Sequence, residues 1–146
     1  MTFNWGSRSL RNLQGIHPDL RNVADYALGV SEVDMTCIEG LRSRKRQAQL
    51  VRQGKSQTMN SRHLTGHAVD MAAWVKRGIS WKWEHYYPIA DAFIEASKAL
   101  DIPVRWGGNW RVKDLRTWKG TGRELVDAYE GKFYDLVHYE LPREFY

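Results

Sequence analysis

Apolar residues recur at helical spacing in three stretches of the chain. The first predicts a helix that starts at residues 17–19, with Pro18 at its first position, and is closed by Gly29. The second predicts a helix from Ser43, a residue type that caps helix starts, to a stop at Gly54. The third and longest predicts a helix over residues 83–100, which the following Asp-Ile-Pro breaks.

Four shorter stretches are typical of strands: residues 33–38, a stretch that starts near His67, residues 104–106 and residues 133–141. In the second of these, strict alternation places Ala68 and Asp70 on one face of the strand. The same alternation places His67, Val69 and Met71 on the other face.

The remaining segments lack a clear period. Residues 55–62 predict a loop, and residues 109–132 are polar and dotted with glycine, with one helical segment over 123–129. Helices and strands follow no regular alternation, and no repeat is visible. The pattern therefore predicts an α+β fold over residues 1–146, a single domain with a small antiparallel or mixed sheet flanked by helices.

Charge, cysteine content and apolar stretches limit the kinds of partner and cell compartment that we expect. The net charge is +5, from 22 basic and 17 acidic residues, which favours an anionic partner such as nucleic acid, membrane or cell-wall polymer. Cys37 is the only cysteine, so an internal disulfide is excluded and we expect a small buried side chain. No stretch of 18 apolar residues and no signal-like start is present, so we expect a chain that is made and folds in a cytoplasm.

Two short segments carry the chemistry. Residues 61–70, Ser-Arg-His-Leu-Thr-Gly-His-Ala-Val-Asp, contain His63 and Asp70, and Asp135-Leu-Val-His138 lies near the C-terminus. A catalytic zinc needs three nitrogen or oxygen ligands, an open fourth position and a nearby acid/base. Gly66 permits a tight turn between His63 and Asp70, and we place Asp135 in a turn or bulge just before His138. The set predicts a zinc-dependent hydrolase with its metal site on the sheet.

A rival ligand pair is His63 with His67, spaced as in the H-E-x-x-H helix of metalloproteases. Here Leu64 stands in place of the required glutamate, and Gly66 interrupts the segment. We therefore expect His67 on the opposite strand face from Asp70, packed or hydrogen-bonded.

These segments resemble a known family. Residues 61–70 fit the pattern S-x-H-x-x-G-x-A-x-D, and residues 135–138 fit D/E-x-x-H. Both patterns belong to zinc peptidases that include D-alanyl-D-alanine carboxypeptidases and dipeptidases, and the chain is most similar to bacteriophage endolysins that are L-alanyl-D-glutamate endopeptidases. Residues 40–43, followed by Gln47, Leu50 and Gly54, and residues 105–110 look similar too. The resemblance therefore covers roughly residues 20–141.

The resemblance implies specific roles. His63, Asp70 and His138 would bind Zn²⁺, Asp135 would be the general base and acid, and Arg42 and Ser61 would contact the substrate or its oxyanion. The substrate would be the L-Ala–D-Glu bond of peptidoglycan stem peptides, and hydrolysis would lyse the host cell. We expect a monomer without a separate wall-binding domain or a transmembrane insertion, which reaches the wall and its anionic envelope from the host cytoplasm with the help of a holin.

Two departures from the family pattern stand out. In the family pattern Gly-Gly-Asp-Trp is common, and here Asn109 takes the place of the aspartate, so this position has no carboxylate. The segment over residues 110–133 looks longer than in compact relatives, and is either a loop that covers the substrate or a surface insertion.

Three alternatives stay open. A D-alanyl-D-alanine carboxypeptidase or dipeptidase would use the same metal and base with a different pocket. A basic nucleic-acid-binding protein would suit the charge and the cluster at Arg42, Arg44, Lys45 and Arg46, but no reading motif is present and we expect no nucleic-acid partner. A metal-bound inactive module, as in a signalling branch of similar architecture, is disfavoured by the presence of Asp135.

Overall fold

Five strands and five helices are present among residues 2–146, the part of the chain that the computed structural model describes. The strands are β1 (Asp34–Glu39), β2 (Ala68–Val75), β3 (Gly78–Ser80), β4 (Arg105–Gly107) and β5 (Asp135–Glu140). The helices are α1 (Ser7–Asn12), α2 (Pro18–Val30), α3 (Arg44–Arg52), α4 (Tyr86–Leu100) and α5 (Gly122–Asp127). Short 3₁₀ turns span Arg62–Thr65, Trp83–His85 and Leu115–Thr117.

The strands form a single antiparallel sheet in the order β1-β2-β5-β4, and β3 pairs with the far end of β2. The antiparallel pairing confirms the predicted α+β class. Asp70 lies opposite Glu39 on β1 and opposite His138 on β5. The central strand therefore carries Asp70 between two polar residues of neighbouring strands.

The two faces of the sheet differ in polarity. Val69, Met71 and Ala73 of β2 join a buried apolar cluster with residues of α2 and α4. The alternation predicted for this strand is thus present, and it directs Asp70 to the opposite face. Because the helices cover one face, the polar groups of β2 and β5 are left on the other.

Two elements lie outside the sequence-based prediction. Helix α1 buries only Ser9, whose hydroxyl accepts from the Cys37 backbone N–H at 2.9 Å, so no apolar period marks it. Strand β3 closes a hairpin with β2 through Lys76 and Arg77, which both have positive φ. Such turns normally carry asparagine and glycine, so this pair of basic residues gives no turn signal.

The segment over residues 110–133 is part of the folded core. It contains a 3₁₀ turn and α5, which begins with a reciprocal capping box between Thr121 and Glu124. Leu115, Leu125 and Val126 are buried in the main apolar cluster. The segment is therefore neither a free lid nor a plain surface insertion.

No helix among residues 2–146 is both long enough and apolar enough to cross a membrane. The expectation of one domain without a separate wall-binding domain stays a prediction.

Candidate functional site

His63 lies on the 3₁₀ turn that precedes β2. The Ser61 hydroxyl caps this turn by accepting from the His63 backbone N–H at 3.2 Å, and Gly66, with a φ of 75°, ends it. The side-chain Nδ1 of His63 donates to the Gly40 carbonyl oxygen at 2.9 Å. That bond leaves the Nε2 lone pair free, and it points at Asp70 Oδ1, 3.1 Å away.

His138 lies on β5, directly across from Asp70. Its Nε2 donates to Glu140 Oε1 at 2.8 Å, and its Nδ1 lies 3.4 Å from Asp70 Oδ1. Both histidines therefore use one ring nitrogen to bind an orienting oxygen and turn the other toward the same carboxylate. This arrangement is typical of metal-ligating histidines, whose second nitrogen is held by a carboxylate or a backbone carbonyl.

The three side chains meet at one point. The ligand atoms of His63, Asp70 and His138 all lie within 4.8 Å of one another. A tetrahedral zinc ion with bonds of about 2.0–2.1 Å sets its ligands about 3.3 Å apart, close to the two shorter separations here. Two nitrogen lone pairs that converge on a carboxylate need a proton or a cation between them, and two imidazoles with one carboxylate suit Zn²⁺.

The charges of the site favour a cation. Burial would raise the pKa of the Asp70 carboxyl, but His63 and His138 outweigh it and hold that pKa well below its ordinary value. Burial opposes the charged form of His138, yet its hydrogen bonds with Asp70 and Glu140 raise its pKa to about 10. The carboxylate thus stays ionised and attracts positive charge, which a divalent ion supplies when it displaces the proton from His138.

Asp135 begins β5 at an irregularity in the sheet. Trp106 of β4 lies opposite Tyr139, but the next residue, Gly107, lies opposite Asp135. The three residues of β5 between Asp135 and Tyr139 therefore have no paired residue on β4. Gly107 is required here, because a Cβ at that position would lie 2.3 Å from the Asp135 carbonyl oxygen. The structure thus has the irregularity that the sequence placed before His138.

Asp135 lines the same cleft as His63, Asp70 and His138. Burial raises its pKa, Asp70 acts in the same direction, and the positive charges of His138 and Arg42 oppose the shift. A carboxyl whose pKa lies above its ordinary range exchanges protons more readily near neutral pH. The position and pKa of Asp135 thus suit a general acid/base.

Arg42 lies in the cleft wall next to Asp70. Its guanidinium forms two bonds with Glu39, at 2.9 and 2.6 Å, and one with Gln47 Oε1 at 2.8 Å. Its Nη2 also lies 3.7 Å from Asp70 Oδ2. The substrate roles of Arg42 and of Ser61, which lines the same cleft, stay predictions.

Three residues of the site were assigned no role from sequence: Glu39, Gln47 and Glu140. Glu140 could have been found, because it lies two positions after His138 on a strand and therefore shares its face. Gln47 is fully buried, and its Nε2 donates to Ser56 Oγ at 2.8 Å and to the Thr58 carbonyl oxygen. Gln47 thereby ties the loop that lines the cleft to Arg42, a contact that local spacing does not indicate.

Other residues considered from the sequence lie away from the convergence point. His67 Nδ1 bonds Thr65 Oγ1 at 2.7 Å, and its ring packs near His17 and Tyr146, so it is not one of the three converging groups. Cys37 is fully buried, and burial raises the pKa of its thiol to about 12. Asn109 is buried and bridges two backbone segments, with its Nδ2 donating to the Leu125 carbonyl oxygen at 2.8 Å.

The converging groups lie in a cleft of about 690 Å³ that crosses the middle of the sheet. One wall follows β1 and α3, and the other follows β4 and the residues before β5. The basic residues of its lining are Arg42, Lys55, Arg62, Arg105 and Arg143. The acidic residues of the lining are Glu39, Asp70, Asp135 and Glu140. Lys55 and Arg143 are exposed, so these two cations can bind a negatively charged group of a ligand.

Comparison with known proteins identifies the family. The family model for phage L-alanyl-D-glutamate peptidases matches residues 1–141. The L-alanyl-D-glutamate peptidase of Escherichia phage T5 is 34% identical over 116 residues, which cover 77% of this chain and 85% of that protein. The L-alanyl-D-glutamate peptidase of Listeria phage A118 is 33% identical over 113 residues, which are 75% of this chain but only 39% of that longer protein.

A solved structure is similar over nearly the whole chain. The crystal structure of the Serratia marcescens L-Ala D-Glu endopeptidase ChiX has a TM-score of 0.76 and 39% sequence identity, and covers 99% of this chain and 93% of its own. The family match spans His63, Asp70 and His138. The chain belongs to the phage L-alanyl-D-glutamate peptidase family.

Proposed function

We propose that the protein is a zinc-dependent endopeptidase that hydrolyses the L-Ala–D-Glu bond of peptidoglycan stem peptides and so causes host cell lysis. The observation that carries the proposal is the convergence of His63, Asp70 and His138 on one point of a cleft that Asp135 also lines. The names of the relatives support the substrate. The donor set supports the metal.

His63 Nε2, His138 Nδ1 and the Asp70 carboxylate would hold the ion. When bound, Zn²⁺ acts as a Lewis acid that lowers the pKa of water toward about 7 and polarises a carbonyl. Gly40 and Glu140 keep the two imidazoles in the required tautomers through their hydrogen bonds. These partners restrict the rings to one orientation before any ligand arrives.

Asp135 would move the proton. Its carboxylate accepts a proton from the attacking water, and the resulting carboxyl gives that proton to the amine of the leaving D-Glu. The raised pKa of Asp135 favours both halves of this transfer near neutral pH. Arg42, whose guanidinium is held by Glu39 and Gln47, would stabilise the developing oxyanion.

Two exposed cations of the cleft support an anionic substrate. Stem peptides carry free carboxylates, and Lys55 and Arg143 line the cleft as exposed cations. The net charge of +5 would concentrate the protein at an anionic envelope. Synthesis in the host cytoplasm and holin-assisted access to the wall are part of this proposal.

The test is hydrolysis of a soluble muropeptide, followed by mass spectrometry of the fragments. Protein stripped with a chelator and then freed of it should be inactive and should recover with added Zn²⁺. Asp135→Asn should lower kcat by about 10²-fold or more and still bind Zn²⁺, whereas His63→Ala should lose the metal. Asp127→Asn, on the exposed end of α5, is the matched control and should keep full activity.

Two results would contradict the proposal. Fragments cut at another bond, or cleavage of a D-Ala-D-Ala peptide in preference to the muropeptide, would reassign the substrate. Near-normal activity of Asp135→Asn would remove this residue from the mechanism.

A further inference from the structure

Two stacked aromatic rings lie at the β4 side of the cleft, beyond the groups that the mechanism uses. The rings of Trp110 and Phe133 have centroids 5.9 Å apart and planes inclined by 20°. Trp110 also lies 5.1 Å from the ring of His138. Both residues line the cleft, and Phe133 is 51% exposed. This pair, the Trp110–Phe133 platform, leads from His138 to the rim.

Arg105 holds Trp110 in place, and the chain next to Phe133 is packed through Tyr134. The Arg105 guanidinium lies 5.2 Å from the Trp110 ring centroid, and its Nε donates to the Trp110 carbonyl oxygen at 2.9 Å. Next to Phe133, the ring of Tyr134 lies 5.1 Å from the ring of Trp83 and 5.1 Å from that of Tyr129. The two stacked rings form a contiguous apolar patch in the cleft, and such patches are typical of ligand-binding grooves.

The chemistry of peptidoglycan indicates the occupant. The L-Ala of a stem peptide is attached through a lactyl group to the muramic acid of the glycan strand. With the L-Ala carbonyl at the convergence point, the sugar ring begins about two residues of chain length away, or about 7 Å. The Trp110 ring lies 5.1 Å from the His138 ring, and the Phe133 ring lies 5.9 Å from that of Trp110, so the span of the platform includes that distance.

The two walls of the cleft suit different parts of such a substrate. The wall at the β1 edge carries Lys55, an exposed cation that favours the carboxylates of the peptide. The platform lies at the opposite edge of the sheet, near β4. One face of a pyranose ring presents C–H groups, which pack against the electron-rich face of an aromatic ring. The aromatic wall therefore favours the sugar.

We propose that the Trp110–Phe133 platform binds the N-acetylmuramic acid ring next to the scissile bond, and that the protein thereby distinguishes glycan-linked stem peptides from free peptides. The inference rests on the proposed function, because it takes the L-Ala–D-Glu bond as the one that is cut. Phe133 is then a specificity-determining residue that takes no part in proton transfer.

The experiment compares kcat/KM for two soluble substrates, a muramyl stem peptide and the same peptide with an acetyl group in place of the sugar. The zinc-loaded wild-type protein should prefer the muramyl substrate. Phe133→Ala should lower kcat/KM for that substrate by about tenfold, as expected for loss of one apolar sugar face, and change the acetyl peptide by less than about twofold. Phe133→Tyr keeps a flat ring and should keep the preference.

Phe145→Ala is the matched control, because Phe145 is 54% exposed and packs on Arg116 outside the cleft lining. It should leave both substrates unchanged. Equal cleavage of both substrates by the wild type, or an equal effect of Phe133→Ala on both, would contradict the proposal that the platform binds the sugar. Failure of the wild type to cut either substrate would instead refute the proposed function. Undiminished hydrolysis of the acetyl peptide shows that the variant is folded.

Discussion

At the scale of single residues, the site depends on partners that hold each ligand. Glu140 is buried and accepts from His138 Nε2, so it keeps Nδ1 turned toward Asp70. The charge of Glu140 also raises the basicity of the imidazole. The three converging residues were predicted from the sequence, and the strand period could have placed Glu140 on the same face as His138. Only the fold shows that its carboxylate accepts from the His138 ring.

Glu140→Gln should therefore weaken zinc binding. Glutamine can still accept the hydrogen bond but lacks the charge, and loss of such a partner typically costs about 10- to 100-fold in metal affinity. The measurement is competition with a chromophoric chelator at fixed pH. Glu144→Gln, which alters only an exposed pair with Lys113, should leave the affinity unchanged. Equal affinity of wild type and Glu140→Gln would show that Glu140 does not tune the site.

At the scale of elements, buried polar groups join segments that are distant in sequence. Asn109 follows β4, and besides its bond to Leu125 its Oδ1 accepts from the Arg111 backbone N–H at 3.0 Å. The amide thus fastens the end of β4 to α5. A carboxylate at this position, as in the more common family pattern, could not donate to the Leu125 carbonyl.

Asn109→Asp should destabilise the fold. The substitution sets a buried acceptor against another acceptor, which costs about 1–3 kcal/mol. Urea unfolding followed by circular dichroism measures the loss in the free energy of unfolding. Asn22→Asp, on an exposed position of α2, is the control and should change stability little. An unchanged midpoint for Asn109→Asp would mean that the interface relaxes around the charge.

A second contact between elements is sensitive to pH. His67 packs between the start of α2 and the C-terminal segment, with ring centroids 5.3 Å from His17 and 6.0 Å from Tyr146. Burial, followed by the charges of Arg62 and His17, lowers the pKa of His67. The neutral ring is therefore favoured in the folded state, and its contribution to stability is present above the ordinary pKa of about 6.5 and is lost as pH falls below it.

His67→Gln should flatten that dependence. Between about pH 7 and about pH 5, the melting temperature of the wild type should fall more steeply than that of the variant. Differential scanning calorimetry with Zn²⁺ present in both samples keeps the metal site the same. Parallel curves would show that His67 has the same pKa in the folded and unfolded chain.

At the scale of the whole molecule, charge couples the protein to its proposed target. With a net charge of +5, attraction to an anionic wall is long-ranged and is screened as the Debye length falls from about 10 Å at 0.1 M salt to less at higher salt. Binding of a small peptide within the cleft depends much less on that field.

Lysis should therefore fall with salt more than peptide hydrolysis does. Turbidity loss of permeabilised cells, with the permeabilising chelator washed out, is measured beside cleavage of a soluble muropeptide across the same range of sodium chloride. The expected result is a steep decrease in lysis and a nearly constant rate on the soluble substrate. Equal salt dependence of the two reactions would show that the positive surface does not tether the protein to the wall.

The sequence alone determined the residue types that can bind a metal, their spacing, and the alternation that separates Asp70 from the apolar face of β2. These features are local, because the backbone periods of helix and strand dictate which residues share a face. It also indicated the irregularity before His138. The family pattern named Asp135 and Arg42 but could not say which groups hold them.

Only the tertiary structure decided how the distant parts meet. The register that sets Glu39, Asp70 and His138 side by side arises from pairing between three strands, and the core packing of residues 110–133 places Trp110 and Phe133 at the cleft. Such contacts join residues far apart in the chain, and close packing of the whole core selects them. The local periods of the sequence do not indicate which strands pair or which core residues pack together.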